Sequence, residues 1–374
     1  MDKLDAMGII YTGENDHYLR ELTTSRSIAS IPVWGRYRLI DFLLSTLVNA
    51  DVRNVAVITQ KNYHSLMDHI SGGREWDLNR KRDGLFILPP FVTRENPGSY
   101  QGNVDALHGV MPYIRGSSQQ YVMFAGSTML YKVDLERVMR YHREKRADIT
   151  LIYYHAEDSM EQLSETTVLN VARGGRVRSV EINPMTPSCD RVWMGAFLIE
   201  KTLLEHLVDV AYSTGSIDFV RGVLMPNLEK LRIYGFRHFG YVAPMHSVRH
   251  YFSACLDILN DRVRREIFEQ GGTVYTKVRD MPPAHYMRGG SAVHSSVADG
   301  CVIQGHIEDS VLFRRVTVGT GAQVKNSIIF QDSVVQEGAV LENVILDKSV
   351  VVRPGARIIG QESYPVVISK GVVV

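Results

Sequence analysis

The chain is poor in cysteine. Its 374 residues include three cysteines, Cys189, Cys255 and Cys301, which lie far apart. An odd number at such distances argues against a disulfide framework and favours a reducing compartment. We therefore expect a cytoplasmic protein with no structural disulfides.

The chain also lacks an excess of charge and a long apolar run. Its formal net charge is +1, from 42 Lys and Arg against 41 Asp and Glu, so no chain-wide field attracts nucleic acid or an anionic membrane. No apolar run is long enough to span a bilayer, and the first residues lack the layout of a signal peptide. We expect neither a nucleic-acid nor a membrane partner. A hydrophobic content of 45% can bury a large core, which predicts two domains.

The last part of the chain repeats aliphatic residues in steps of six, with one-residue slips between groups. Small residues such as Gly319, Gly338 and Gly355 lie between these positions and suit a chain that turns sharply and stacks coil on coil. The pattern predicts a left-handed parallel β-helix from about residue 291 to 374. The repeated positions are Val318, Val324, Phe330, Val335, Leu341, Leu346, Val352 and Ile358.

The first 250 residues alternate short apolar blocks with helical stretches. AMGIIYTG, RNVAVITQ, QYVMFAGS and ITLIYYHA are typical of buried strands, while RLIDFLLSTLVNAD and LERVMRYHREKRA have the spacing of amphipathic helices. Such alternation predicts an α/β domain with a doubly wound mixed sheet. The predicted organisation is an α/β domain over 1–250, a helical connection over 251–290, and the β-helix over 291–374.

Six segments, in order, resemble the sugar-phosphate nucleotidyltransferases, and in detail the ADP-glucose pyrophosphorylases. The resemblance covers nearly the whole chain and implies a nucleotidyltransferase-type α/β domain that ends in a β-helix. The segments are GRYRLIDFLLSTLVNADVRNVAVITQ (35–60), YQGNVDAL (100–107), FAGSTMLYKVDL (124–135), WMGAFLI (193–199), SIDFVRGVLMP (216–226) and FGYVAPMHS (239–247).

The family's phosphate-binding loop, GGxGxRLxPLT, is largely lost. By the resemblance, this chain keeps Gly13, places Glu14 and Asp16 where the other glycines stand, and has Tyr18 in place of the arginine. Ile28 replaces the lysine of a nearby AKP motif. Two carboxylates would repel a triphosphate.

The resemblance also implies loss of the metal site and of the sugar-phosphate clamp. The family's two magnesium-binding aspartates correspond to Ser127 and Pro244, which are poor ligands for a cation that prefers carboxylates. The clamp lysine corresponds to Ile182, and a serine of the sugar site corresponds to Trp193. We therefore expect no catalytic residues and no metal site in this chain.

Other positions still match the family's cleft. They either form a weakened nucleotide or sugar-phosphate pocket or merely preserve the geometry at the strand ends. These pocket residues are Gly13, Gln60, Gly102, Asp105, Glu181 and Asp218.

Two arginines, Arg36 and Arg38, match the region of the family's activator lysine. They predict either an effector anion site, for a sugar phosphate or a nucleotide, or ordinary surface pairing with acidic neighbours.

Taken together, the resemblance is to the GlgD type of subunit in bacterial ADP-glucose pyrophosphorylase, which is catalytically impaired and regulatory. It implies a hetero-oligomer, expected to be a heterotetramer, in which a catalytic subunit holds the magnesium and makes ADP-glucose for glycogen biosynthesis. One alternative is a weakly active nucleotidyltransferase in its own right. Another is a β-helix acyltransferase with His294 or His306 as base.

Overall fold

The computed structural model describes residues 4–13, 17–90, 98–156 and 166–374. The chain divides into two compact units. The first consists of Met1–Glu14 and Phe42–Val242, and the second of Asn15–Asp41 and Ala243–Val374.

The helices and strands before the β-helix alternate along the chain. Short 3₁₀ turns cover His17–Leu22, Ile28–Ser30, Arg74–Trp76 and Asp257–Leu259, and a π-helical turn covers Val220–Leu224. The α-helices are α1 (Leu39–Asn49), α2 (His64–Ile70), α3 (Asn103–Gly109), α4 (Met111–Gly116), α5 (Leu135–Glu144), α6 (Lys201–Ser213), α7 (Met225–Asn227), α8 (Val248–Leu256) and α9 (Asp261–Glu269). The strands are β1 (Ala6–Tyr11), β2 (Pro32–Val33), β3 (Tyr37–Arg38), β4 (Asn54–Ile58), β5 (Gly84–Leu88), β6 (Tyr121–Gly126), β7 (Met129–Tyr131), β8 (Ile149–His155), β9 (Thr167–Val171), β10 (Val177–Ile182), β11 (Arg191–Glu200), β12 (Ile233–Arg237) and β13 (Val242–Pro244).

A mixed nine-stranded sheet forms the centre of the first unit. Its main path runs β10-β9-β11-β6-β1-β4-β5, and β8 lies between β11 and β12. β1 pairs in parallel with β4 and β6, whereas β11 runs antiparallel to β6 and β8. Every residue of β1 and β4 is buried, as expected for strands covered on both faces. The predicted α/β class is confirmed.

Aromatic residues fill the core on one face of this sheet. The Phe197 ring stacks between the rings of Phe124 and Phe219, with centroid separations of 4.8 and 4.4 Å. This packing fixes the strand ends from which the candidate site is built.

Three parallel five-stranded sheets form the β-helix of the second unit, and the predicted fold class is confirmed here too. The first sheet is β14 (His285–Tyr286), β17 (Val302–Ile303), β20 (Thr317–Val318), β23 (Val334–Val335) and β26 (Val351–Val352). The second is β15 (Ser291–Val293), β18 (His306–Glu308), β21 (Gln323–Lys325), β24 (Val340–Glu342) and β27 (Arg357–Ile359). The third is β16 (Ser296–Val297), β19 (Val311–Leu312), β22 (Ile328–Ile329), β25 (Val344–Leu346) and β28 (Val366–Ile368).

The aliphatic repeat stacks as predicted at seven of its eight positions. Val318, Val335 and Val352 are register partners in the first sheet. The prediction is wrong for Phe330, because Ile329 is the residue that pairs with Leu346. Phe330 follows the strand and packs instead against the rings of Phe313, at 5.0 Å, and Tyr251, at 6.3 Å.

Within the second unit, residues 17–41 are tied to the β-helix and to α8. The indole of Trp34 donates a hydrogen bond to the Ala254 carbonyl at 2.7 Å. The Tyr251 hydroxyl donates to the Pro32 carbonyl at 2.5 Å. These bonds hold the hairpin of β2 and β3, which carries the two predicted effector arginines.

Candidate functional site

Glycine at two pocket positions is explained by close approach of neighbouring groups. A Cβ on Gly13 would lie 2.4 Å from Gln60 Oε1, and a Cβ on Gly102 would lie 2.2 Å from the Ile217 carbonyl oxygen. Gln60 donates from Nε2 to the Tyr100 carbonyl at 2.6 Å. The structure therefore brings Gly13 and Gln60 together, but the Gln60 amide already holds the loop at Tyr100. The predicted carboxylates Glu14 and Asp16 lie outside the described residues.

The three pocket carboxylates each accept a hydrogen bond from a nearby backbone N–H. Asp105 accepts from Gln101 at 2.9 Å and Asp218 from Arg221 at 2.8 Å. Glu181 accepts from a loop amide seven residues further on, at 3.1 Å. These contacts cap turns and helix starts, which is a structural use of the carboxylates.

The positions that correspond to metal ligands do not fit a divalent cation. Ser127, just beyond β6, is fully buried, and its hydroxyl is a weak ligand compared with a carboxylate. Pro244, the last residue of β13, offers no side-chain oxygen. Over the described ranges, no three His, Cys, Asp or Glu side chains are grouped so that they could hold a metal ion.

The sugar-phosphate positions are apolar and packed. Ile182, at the end of β10, packs against the aromatic core of the first unit. The Trp193 side chain is 8% exposed, and its indole donates to the Ala196 carbonyl at 2.9 Å. Neither residue supplies a charge that could hold a phosphate.

Tyr18, which the resemblance aligns with an arginine of the family, is 45% exposed in the turn His17–Leu22. The neighbouring Arg20 is held by the Tyr364 hydroxyl and lies over its ring, 5.3 Å from the centroid. The one described cation of this turn is therefore already engaged.

A buried ion pair lies beside the predicted effector arginines in the second unit. Arg26 binds both carboxylate oxygens of Asp347 at 2.8 and 2.9 Å, and the two side chains are 2% and 3% exposed. Both members of this pair act electrostatically on Lys348, and so do Arg38 and Lys370. Three cations and one carboxylate therefore act on Lys348.

The pKa of Lys348 is strongly lowered by this environment. Burial, together with the nearby charges of Arg38 and Arg26, lowers the pKa of Lys348 to about 7, and the opposing effect of Asp347 is smaller. The Lys348 carbonyl accepts a hydrogen bond from the Gly371 N–H at 2.9 Å, which brings the chain around Lys370 alongside. An oxyanion would relieve the repulsion within such a group.

Arg36 belongs to a different group of cations. It is exposed and lies 5.5 Å from the Tyr37 ring centroid, and its charge acts on Arg314. Arg314 is 9% exposed, and its buried Nε–H has no hydrogen-bond acceptor among the residues that the structure describes. Burial and the charges of Arg36 and Arg279 lower the pKa of Arg314.

Sequence reasoning missed Arg26, Lys348 and Arg314 as members of these groups. Arg26 and Asp347 are 321 residues apart, and nothing in the local sequence marks either one. No local signal marks Lys348 or Arg314, since they stand beside the charged residues Asp347 and Arg315 in the same coils.

The two histidines considered as acyl-transfer bases make surface pairs. His294 Nδ1 lies 2.6 Å from Asp309 Oδ1, and His306 Nδ1 lies 2.8 Å from the Ser291 hydroxyl. Both are exposed corner or strand positions of the β-helix.

Comparison with known proteins agrees with this architecture. The family described as nucleotidyl transferase matches residues 7–230, and the GlmU-like, C-terminal hexapeptide family matches 282–365. In the described part of the chain, no helix is long and apolar enough to cross a membrane.

Individual relatives carry two different names. The chain is 33% identical over 322 residues to "Glycogen biosynthesis protein GlgD" of Bacillus subtilis (strain 168), covering 85% of this chain and 82% of the relative. It is 34% identical over 325 residues to the protein of the same name from Geobacillus stearothermophilus, again covering 85% and 82%. It is 32% identical over 302 residues to "Glucose-1-phosphate adenylyltransferase" of Thermomicrobium roseum (strain ATCC 27502 / DSM 5159 / P-2), covering 80% and 70%.

Proposed function

We propose that this chain, which belongs to the nucleotidyl transferase family shared with the glucose-1-phosphate adenylyltransferases of glycogen biosynthesis, is a catalytically impaired regulatory subunit. It would assemble with an active subunit that makes ADP-glucose and pyrophosphate from ATP and glucose 1-phosphate. One observation carries the proposal: Tyr18, Ser127, Ile182 and Pro244 replace the reacting groups of the family within an intact scaffold.

The chemistry explains why these replacements matter together. Nucleotidyl transfer depends on cations that position the phosphates and stabilise charge on the transferring group. A buried serine and a proline cannot hold magnesium, and an isoleucine cannot bind the sugar phosphate. We infer that magnesium acts at the partner's site and that this chain needs no cofactor of its own.

For the regulatory role, we propose that Arg36 and Arg38 bind effector anions, each within its own group of cations. The support is the set of cations that acts on Lys348, and the buried Nε–H of Arg314, which has no acceptor among the described residues and lies near Arg36. A sugar phosphate or nucleotide phosphate is the ligand chemistry that guanidinium and ammonium groups bind best. An effector that binds one conformation better than another shifts the population by that difference in affinity.

For assembly, we propose that the first β-helix sheet contacts the catalytic subunit in a heterotetramer. Its outward residues Val302, Thr317, Val334 and Val351 are half-exposed and in register. The outward residues Val311, Ile328 and Ile345 in the middle of the third sheet, by contrast, are fully buried. A flat stripe of uncharged β-branched residues is suited to packing against another apolar face.

The test mixes this protein with the active adenylyltransferase subunit of the same cell. Size exclusion should show co-elution, and turnover or sensitivity to a sugar-phosphate activator should rise. Arg38→Ala and Lys348→Ala should reduce the response to activator and leave co-elution intact, whereas the exposed control Arg357→Ala should change neither. Absence of a complex, together with unchanged partner kinetics at micromolar concentration, would refute the regulatory role.

The alternative is a weakly active adenylyltransferase. The name of the Thermomicrobium roseum relative favours it, because that protein is 32% identical to the chain, against 33% and 34% for the two GlgD relatives. Measurement of ADP-glucose formation by the isolated chain decides between an impaired regulatory subunit and a weakly active adenylyltransferase.

A further inference from the structure

Three segments of the first unit carry much of the positive charge of the chain. We call residues 134–148, 172–178 and 229–237, which include α5, the turn from β9 to β10, and β12, the basic face. They contain eleven Lys and Arg and five Asp and Glu, although the whole chain has a net charge of only +1. The rest of the chain therefore has a net negative charge, so positive and negative charge are unevenly distributed along the chain.

Hydrogen bonds join the three segments into one surface. The Tyr141 hydroxyl of α5 donates to the Gly235 carbonyl of β12 at 3.0 Å. The Gly235 N–H donates to the Gly175 carbonyl in the turn at 2.8 Å. Arg176 donates from Nη2 to the Leu228 carbonyl at 3.0 Å. The cations of the three segments therefore belong to one continuous surface.

Aromatic rings hold several of these cations in place. Lys145 Nζ lies 5.7 Å from the Tyr141 ring centroid and 5.9 Å from that of Tyr234, and the Arg176 guanidinium lies 5.9 Å from the Tyr234 ring. A ring face positions a cation without neutralising it. The charge of these side chains thus remains available to a partner.

Arg143 and Arg237 are held in the same way, 6.0 Å from the Tyr121 ring and 4.4 Å from the Phe239 ring. Among the eleven cations, only Arg232 forms an ion pair with a carboxylate that the structure describes. Pre-positioned, unpaired cations lose little conformational entropy when an anion binds them.

We propose that the basic face binds an acidic segment of a partner protein, and this inference is independent of the proposed regulatory function. Nucleic acid fits less well, because stacking of bases needs open ring faces, and the half-buried rings of Tyr141 and Tyr234 already lie against the chain's own cations. A long polyanion would also extend onto the net-negative remainder of the chain. A short acidic segment avoids that repulsion and still gains the charge-assisted contacts.

The experiment measures binding of a fluorescent decaglutamate peptide by anisotropy at physiological salt, with a single-stranded DNA of matched charge as competitor. The variant Arg140→Glu/Arg143→Glu reverses two exposed charges of α5. The matched control, Arg262→Glu/Arg265→Glu, reverses two exposed charges of α9. Far-UV circular dichroism verifies that both variants are folded.

We expect saturable binding that weakens with added salt, a loss of about tenfold or more in the α5 variant, and no loss in the control. No binding by the unmodified protein, or an equal loss in both variants, would overturn the proposal. Displacement of the peptide by DNA at much lower concentration than by unlabelled peptide would also overturn it, in favour of a nucleic-acid surface.

Discussion

At the scale of single residues, the buried pair of Arg26 and Asp347 shows how one contact can fix a segment. It links the turn region of residues 17–41 to the β-helix inside the second unit. Pairs of this kind add little net stability compared with apolar residues, but removal of one partner leaves a buried charge.

Arg26→Met should therefore destabilise the protein by about 3–5 kcal/mol. Urea unfolding followed by fluorescence measures the loss. Arg264→Met removes an exposed pair with Asp261 and should cost less than about 1 kcal/mol. A similar small loss for both variants would show that the Arg26 pair is not buried in solution.

His142 gives stability a dependence on pH. Burial lowers its pKa to about 4 from an ordinary 6.5, and its Nδ1 lies 2.8 Å from the Thr150 hydroxyl. As the pH falls below 6.5, the unfolded chain takes up a proton that the folded chain does not take up until about pH 4. The contribution of neutral His142 to the free energy of unfolding is thus complete above pH 6.5, and it is lost as the pH falls from 6.5 to about 4.

Between pH 6.5 and about 4, His142→Gln should reduce the slope of the free energy of unfolding against pH by about 1.4 kcal/mol per pH unit. The measurement is a series of urea unfolding curves across the window. His64→Gln changes an exposed histidine of α2 and should leave the dependence unchanged. The same slope in the His142 variant and the unmodified protein would contradict this account.

At the scale of elements, the β-helix is stabilised by inward stacks of aliphatic residues. Val324 pairs with Leu341 and Val318 with Val335, and all four are almost completely buried. Each strand is only two or three residues long, so stability comes from packing of successive coils.

Val324→Asp should cost several kcal/mol, about 3 or more, because it buries an unpaired charge in the stack. Gln336→Asp changes a half-exposed position of the same coils and should be nearly silent. Thermal melting compares the two variants. An unchanged melting temperature for Val324→Asp would refute the stacked-coil description.

At the scale of the whole molecule, the chain has the scaffold of its family, and the proposed loss of its chemistry can be tested directly. The mixed sheet and the β-helix match the nucleotidyl transferase and hexapeptide families over most of the chain. The pocket carboxylates that remain are occupied with backbone N–H groups.

Purified protein with magnesium, ATP and glucose 1-phosphate should therefore release at most traces of ADP-glucose. The double change Ser127→Asp/Pro244→Asp should not restore turnover, because Tyr18 and Ile182 still lack the charges that hold the phosphates. Pyrophosphate release measures the turnover of the unmodified protein and of the double variant. Turnover typical of an adenylyltransferase, on the order of 10 per second, in the unmodified chain would refute the impaired assignment.

Local patterns predicted most of the elements. The apolar blocks of β1, β4, β6 and β8 are strands, and the amphipathic stretches are helices, because side-chain periodicity is set by local geometry. The error at Phe330 arose because a six-residue period does not distinguish an inward side chain from one covered by α8 on the outside.

The sequence by itself determined the fold class, and it determined that Ser127 and Pro244, which the resemblance aligns with magnesium ligands, carry no carboxylate, because that is a property of the residues themselves. Only the tertiary structure decided which charges meet. Arg26, Arg38 and Lys348 converge because coils far along the chain pack against the hairpin of β2 and β3. Packing of segments that are far apart in the sequence sets how deeply each charged side chain is buried and which charges lie near it. No local sequence pattern encodes these two quantities, and they determine how strongly each pKa is shifted.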